Sequence, residues 1–313
     1  MDATPTGVIS NVALLDLTSL HEREELEAIA RIDDVAVILV RESLAGALAR
    51  IPTTNVASIV PIADGARTQV HTGGVVMSGE ALAAPDNEDA VLVVTGSLLL
   101  SSPVPAVTYR GIVVTGVVLA PFGSETALGS GLTRVTGAVQ YFRHVEGQRF
   151  RTLSGQSRIS GAFLANAGGD PGDVLFVAGQ TIVTGEVDAV GFQLVVAAGQ
   201  LLLPRASEAV LAPVLTAEGQ LVWYGGSRPR FFLGNESFGR DFFEALDDGT
   251  ALVLVGDVEF ADDVTPEVLR GRIEEITLVG RLSAPDGAVG VVQALCREKH
   301  GTIVPRRSAG APG

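Results

Sequence analysis

Side chains able to do catalytic or metal chemistry are few and scattered in this sequence. The four histidines, His21, His71, His144 and His300, do not have the spacing of protein metal sites, and no G-x-S-x-G, phosphate-binding or dinucleotide-binding motif occurs. We therefore expect no catalytic residue, no bound metal and no cofactor. The sequence predicts that the protein is not an enzyme.

Acidic turns are the nearest approach to a metal site. Residues 86–89 contain three carboxylates and residues 168–173 read Gly-Gly-Asp-Pro-Gly-Asp. Carboxylates in a glycine-rich turn supply the oxygen ligands that Ca²⁺ prefers. The simpler interpretation, which we favour, is a solvated turn.

The most distinctive chemistry is a stretch of aromatic and arginine side chains at residues 223–243, here called the aromatic stretch. It holds seven of the 16 aromatic residues of the chain, interleaved with three arginines. Arginine mixed with aromatic residues is typical of protein interface hot spots. The alternative is a local core plug over an irregular part of the fold. The candidate interface residues are Trp223, Tyr224, Arg228, Arg230, Phe231, Phe232, Phe238, Arg240, Phe242 and Phe243.

The elements that position these residues are repeated along the chain. Gly96, Pro121, Ser124 and other residues recur 83 positions later, at Gly179, Pro204 and Ser207. A third copy follows, in which Gly280, Ala284 and Pro285 repeat Gly116, Ala120 and Pro121, and residues 31–35 resemble residues 272–276 as a fourth. A fixed period of this kind indicates units that bury their apolar faces by stacking.

Within each copy a shorter rhythm of about 20 residues joins two short apolar strands through a glycine, as in residues 91–100 and 252–260. Glycine permits a corner with positive φ. The pattern surrounds most of the regularly spaced glycines, which stand at 79, 96, 116, 137, 161, 179, 199, 219, 234, 256, 280 and 301. We predict a mainly β fold, a β-solenoid of these rungs in four 83-residue units with short helical inserts.

The helical inserts are expected at residues 22–32, 43–51, 124–128, 207–211 and 266–273, with Ser124 and Ser207 as N-caps. They also support an alternative, a leucine-rich-repeat-like α/β solenoid, whose rungs are a strand plus a helix. Residues 268–282 have that spacing. Most rungs lack the asparagine at the strand end, and many contain two strands, which favours the β-solenoid.

The strand-glycine-strand coils, aliphatic core and scarce aromatics of residues 75–305 resemble those of bactofilins, bacterial cytoskeletal proteins built as β-solenoids. The resemblance implies polymerisation by end-to-end stacking without nucleotide, and it brings no catalytic residues. It also implies a bacterial, cytoskeleton-like structural protein.

Composition restricts the partners. The net charge of -14 disfavours nucleic acid and anionic lipid, and the single Cys296 suits a reducing cytosol. No signal peptide is evident in residues 1–7, and the charge-free residues 90–109 are interrupted by prolines, so we expect a cytoplasmic protein without an integral membrane segment.

Two further patterns bear on assembly. Strands such as residues 91–94, 112–114 and 194–196 are apolar at consecutive positions, so both faces should be covered, by helices or by a neighbouring molecule. An acidic first helix and a basic cluster at residues 297–307 favour head-to-tail stacking.

The sequence thus predicts one continuous solenoid over residues 1–305, in units of approximately 8–85, 86–168, 169–248 and 249–305, with a disordered tail at 306–313. The predicted function is a non-enzymatic structural scaffold that self-associates into filaments or oligomers. The alternative is a monomeric protein–protein interaction module that uses the aromatic stretch. An enzyme acting on a polysaccharide is disfavoured, because paired carboxylates and aromatic platforms do not recur along the rungs.

Overall fold

The computed structural model describes residues 7–306 and shows a mainly β protein of many short strands with short helices between them. The predicted tail therefore lies outside the described residues, except for Arg306, which ends the last strand. The strands are β1 (Gly7–Asp16), β2 (Ile29–Arg41), β3 (Thr53–Ile62), β4 (Arg67–Thr72), β5 (Val75–Met77), β6 (Ala90–Thr95), β7 (Leu98–Leu100), β8 (Gly111–Val114), β9 (Val118–Pro121), β10 (Leu132–Val135), β11 (Val139–Phe142), β12 (Phe150–Leu153), β13 (Gln156–Ser160), β14 (Val174–Val177), β15 (Gln180–Thr184), β16 (Leu194–Ala197), β17 (Gln200–Pro204), β18 (Leu215–Ala217), β19 (Gln220–Tyr224), β20 (Pro229–Phe238), β21 (Thr250–Phe260), β22 (Ile273–Pro285) and β23 (Cys296–Arg306).

Within residues 7–306, eight α-helices lie between the strands. They are α1 (Arg23–Glu27), α2 (Ala45–Leu48), α3 (Gly79–Leu82), α4 (Glu125–Gly131), α5 (Glu208–Leu211), α6 (Arg240–Glu244), α7 (Pro266–Arg272) and α8 (Asp286–Leu295). Short 3₁₀ helices add Glu42–Leu44, Pro85–Asn87, Gly161–Ala165 and Arg205–Ser207. Each predicted insert contains a helix, but the first is shorter than expected, because strand β2 begins at Ile29.

The contacts divide the chain into two compact units, residues 1–155 with 172–179, and residues 156–171 with 180–313. In the first unit, β1-β2-β3 form sheet A, β10-β8-β6-β4 form sheet B, and β11-β9-β7-β5 form sheet C. In the second unit, β13-β15-β17-β19 form sheet D and β20-β21-β22-β23 form sheet E. Within these five sheets the neighbouring strands described are parallel. Within residues 7–306, β3 does not pair with β4 and β19 does not pair with β20.

Glycine corners stack on one another in sheet E. Gly234, Gly256, Gly280 and Gly301 are paired in register along the four strands. At Gly280 φ is 117°, and a Cβ would collide with the carbonyl oxygen of Gly256. Both the backbone angle and the close approach therefore require glycine.

Two glycines of the regularly spaced series are not corners. Gly79 begins α3 and Gly161 begins a 3₁₀ helix, whereas the corners stacked beneath Gly96 and Gly179 are Gly73 and Gly155. The strand-glycine-strand pattern marks these positions only weakly, because the strand before Gly73 and the strand after Gly155 are rich in polar residues.

Sheet A forms its corners without glycine. Asn11, Asp34 and Asn55 adopt left-handed conformations with φ of 59°, 53° and 55°. Asn55 Nδ2 donates a hydrogen bond of 2.7 Å to Asp34 Oδ1. Residues 31–35 were expected to match residues 272–276 as a repeat. Under that match the corners do not coincide, because Asp34 is itself a corner, whereas its counterpart Glu275 lies before the corner Gly280.

The repeated serines stand at the predicted N-cap positions of α4 and α5, and in both units their side chains bind a neighbouring loop instead of the helix. Ser124 Oγ accepts the backbone N–H of Val104 at 3.1 Å, and Ser207 Oγ accepts that of Val187 at 2.9 Å. Both serines are buried, and neither side chain caps its own helix. They satisfy buried donors in the preceding loop, which explains why serine recurs in the repeat.

The consecutive apolar residues are explained by packing between sheets. In the first unit Val91, Val93 and Val113 of sheet B pack against sheet A, and the alternate residues of sheet B face the core beneath α4. In the second unit sheets D and E pack in the same manner. The prediction that both faces are covered is confirmed for residues 91–94 and 112–114. One face of these strands is covered by another sheet of the same unit, so the pattern there gives no evidence for a neighbouring molecule.

Candidate interaction surface

The aromatic stretch begins in β19, passes through a short loop, and continues along β20 into α6. Its side chains do not form one surface, because those in the strands point to opposite faces of the sheets. Four of its phenylalanines enter the core of sheet E, and two other aromatic residues lie between sheets D and E.

The core group consists of Phe232, Phe238, Phe242 and Phe243, packed with Phe260 of β21. The rings of Phe238 and Phe242 stack with centroids 4.2 Å apart, and Phe243 meets Phe260 edge to face at 4.9 Å. Phe238 and Phe243 are buried, whereas Phe232 and Phe242 are partly exposed. This arrangement fits the core-plug interpretation, since large rings fill the first rung of sheet E.

The second group joins sheets D and E. Tyr224 and Phe231 meet edge to face at 5.1 Å, and Arg158 of β13 lies 4.8 Å from the Phe231 ring centroid. The Tyr224 hydroxyl donates to the Val183 carbonyl at 2.7 Å, and burial raises the pKa of Tyr224 to about 12. Tyr224 is therefore a structural residue in this fold.

The arginines of the stretch are exposed. Arg228 pairs with Asp247 at 3.4 Å, and Arg240 pairs with Glu244 at 2.6 Å across one helical turn. Arg230 is exposed on β20, and Trp223 is partly exposed on β19. An interface in this region would use the arginines with Trp223, Phe231, Phe232 and Phe242, because Tyr224, Phe238 and Phe243 are buried.

The outer strands of sheets A and E provide a different surface. Strand β1 is outermost in sheet A, and its Val8 is 61% exposed, among the most exposed large apolar residues in the part of the chain described. Strand β23 is outermost in sheet E. Outer strands present backbone N–H and C=O groups to any strand that approaches.

The predicted charge asymmetry at the two ends is weakened by local pairing. Near β23, His300 pairs with Glu298 at 2.7 Å, Arg297 with Glu275 at 3.8 Å, and Arg306 with Glu259 and Asp262. In α1, the backbone N–H groups of Glu22 and His21 donate to Glu25 and lower the pKa of its carboxyl, which therefore stays negatively charged. The basic cluster near β23 is thus largely paired within the chain, whereas Glu25 keeps its charge.

The acidic turns have internal partners. Asp89 pairs with Arg110 at 3.3 Å, and buried Asp173 accepts the backbone N–H of Arg149 at 3.0 Å. Over residues 7–306 the structure contains no group of three or more His, Cys, Asp or Glu side chains placed to hold a metal ion. Within the same residues, every helix is too short or too polar to cross a membrane.

One polar cluster had no counterpart in the sequence analysis. Arg205, at the end of β17, pairs with buried Glu275 of β22 at 3.4 Å and lines a cavity of about 480 Å³ in the second unit. The available signals were an acid inside an apolar strand and the Gly225-Gly226 pair after β19. Neither is a recognised motif. Comparison with protein-family models, characterised proteins and solved structures finds no match to this chain.

Proposed function

We propose that the protein is a non-enzymatic, bactofilin-like β-solenoid scaffold of the bacterial cytoplasm that self-associates end to end through its outer strands. The observation that carries this proposal is the presence of long outer strands in both terminal sheets. Strand β1 has 10 residues and β23 has 11. Outer strands of this length pair readily with another chain unless they are blocked.

The two outer strands suit one another as partners. Sheets A and E are built from parallel strands in chain order, so β1 of a second copy placed beside β23 would continue the same parallel order. Asn11, near the middle of β1, has a left-handed φ of 59°, and Gly301, near the middle of β23, stands in register with the corner Gly280. Corner positions at the same place in the two strands would let them pair in one register along their length.

The rungs of sheets B, C and D support the β-solenoid over the leucine-rich-repeat-like alternative. A rung there holds two short strands separated by a glycine corner, as in β6, Gly96 and β7. Sheets A and E have the longer strand-plus-helix rungs that the alternative requires. We propose a β-solenoid with helical inserts, in which rungs of both kinds are stacked.

Sedimentation velocity at rising concentration tests the proposal. The wild-type protein should form species larger than the 32.4 kDa chain as concentration increases. Val8→Lys on β1 should suppress this growth, because a lysine on an outer strand disfavours strand addition. Val76→Lys is the matched control, since Val76 is also an exposed valine on an outer strand, β5 of sheet C. A single 32.4 kDa species at all concentrations, or equal suppression by both variants, would contradict the proposal.

A second candidate is the monomeric interaction module. The exposure of Arg228, Arg230 and Arg240 along one segment favours it. This candidate predicts a monomer at every concentration, so the same experiment separates the two functions.

A further inference from the structure

The cavity beside Arg205 lies at the carboxyl ends of three neighbouring strands of sheet D. The residues that follow β15, β17 and β19 are Gly185, Arg205 and Gly225, and all three line the cavity. Its volume of about 480 Å³ is in the range of small-molecule sites. The carboxyl ends of parallel strands are a common place for ligands in open sheets.

The Arg205 guanidinium is held in a fixed position. Nη2 donates to the Trp223 carbonyl at 3.0 Å, and Nη1 contacts Glu275 Oε2 at 3.4 Å. The Glu275 side chain is only 6% exposed and has a second partner in Arg297, 3.8 Å away. A buried carboxylate is tolerated only with such partners, so Arg205 is tied to the fold while its side chain remains 38% exposed.

The absence of a side chain at Gly225 leaves room for the Arg205–Glu275 pair. A Cβ at residue 225 would collide with Glu275 Oε1 and lie 2.8 Å from Arg205 Nη1, so a larger residue there would push these two side chains out of their present positions. Glu275 Oε1 is a buried acceptor with no hydrogen-bond partner within residues 7–306, so the Glu275 carboxylate depends on its ion pairs with Arg205 and Arg297.

The lining selects the chemistry of the ligand. Arg205 is the one cationic side chain of the lining, and Pro204, Tyr224 and Pro229 provide apolar walls. A guanidinium presents paired donors that match the two oxygens of a carboxylate. Glu186 in the lining and Glu275 nearby oppose a second negative charge on the ligand. We propose that this cavity binds a compact monocarboxylate, with its carboxylate on Arg205 and its apolar body against the prolines.

Benzoate is a suitable probe, with benzamide as the neutral analogue and inorganic phosphate as the multiply charged anion. Saturation-transfer NMR on the full chain should show saturable benzoate binding with a Kd of about 1 mM. Benzamide and phosphate should each bind at least about tenfold more weakly. Absence of saturable benzoate binding, or equal binding of phosphate, would overturn the proposal.

Substitutions in the lining test whether benzoate binds in this cavity. Ala206 is exposed and lines the cavity, so Ala206→Trp should fill it while leaving the Arg205–Glu275 pair intact. We expect Ala206→Trp and Arg205→Lys each to weaken benzoate binding by about tenfold or more. Arg281→Met, which removes an exposed arginine from β22, is the control and should leave binding unchanged. Full affinity in Ala206→Trp, with the fold verified by circular dichroism, would place the benzoate elsewhere and overturn the assignment.

Discussion

Sheets A and E solve the same problem, a bend in the middle of a long parallel strand, with different residues. Sheet E uses glycine at 234, 256, 280 and 301, whereas sheet A uses Asn11, Asp34 and Asn55. The backbone explains the choice. The sheet A corners have φ between 53° and 59°, the left-handed region that asparagine and aspartate tolerate, while Gly256 and Gly280 have φ of 127° and 117°.

The difference shows that the bend, rather than the glycine, is the repeated feature. In sheet E the corners Gly256, Gly280 and Gly301 also approach the carbonyl oxygen of the preceding corner, so a side chain has no space there. In sheet A the side chains take part in the ladder, as the hydrogen bond from Asn55 to Asp34 shows. A sheet can therefore replace the flexibility of glycine with a polar contact between rungs.

The largest expected effect is at a sheet E corner. Gly280→Ala places a Cβ against the Gly256 carbonyl at a φ that alanine avoids, so it should lower the free energy of unfolding by about 3 kcal/mol or more. Urea denaturation measures the change. Gly287→Ala in α8, where a Cβ meets nothing within 4 Å, is the control and should be neutral or stabilising. An alanine tolerated equally at both positions would refute the steric explanation.

A smaller effect is expected at the buried serines, which test whether the two units share a design. Ser124→Ala and Ser207→Ala each leave a buried N–H without an acceptor, at Val104 and Val187. Each should reduce the free energy of unfolding by about 2 kcal/mol. Exposed Ser130→Ala is the control and should change it little. Thermal or urea unfolding measures these changes. If only one of the two substitutions lowered the free energy of unfolding, the two serines would not have equivalent roles in the two units.

The sheet A corner should respond more mildly than the sheet E corner. Asn55→Ala keeps a left-handed φ without the hydrogen bond to Asp34 and should cost about 1–2 kcal/mol in urea unfolding. Asn55→Gly relieves the backbone cost and should lie closer to wild type. Greater destabilisation by glycine than by alanine at this position would contradict the interpretation.

The mildest expected effect concerns Tyr224, which lies between sheets D and E, and it is seen only at high pH. Burial raises the pKa of Tyr224 to about 12, above the value of about 10 expected in the unfolded chain. The folded state thus favours the neutral phenol, so its contribution to stability is complete below pH 10 and is lost as pH rises through about 12. Absorbance titration of the wild type and Tyr224→Phe isolates this group. Ionisation of Tyr224 near pH 10 in the folded protein would show that the hydroxyl is not buried.

The sequence could predict the parts of the fold that depend on local geometry. Glycine between two apolar runs identified corners such as Gly96 and Gly256, because that geometry admits few other residues. The corners of sheet A escaped detection because asparagine and aspartate are also common in ordinary turns. The unusually short interval between Gly219 and Gly234 coincides with the passage from sheet D to sheet E, but spacing alone could not show that the strand pairing stops there.

The candidate interface was only partly predictable for a similar reason. The composition of residues 223–243 indicated either an interface or a core plug, and burial distinguishes the two for Phe238 and Phe243. Arg205 and Glu275 were missed because they are 70 residues apart and come together only through the packing of sheets D and E. Tertiary proximity of this kind leaves no local pattern.

Negative-stain electron microscopy of the purified protein over a range of concentrations tests the central claim most directly. End-to-end association through β1 and β23 predicts threads that lengthen with concentration, one molecule in width, and that disappear in Val8→Lys. Separate particles of uniform size at every concentration would contradict self-assembly as the function of this protein.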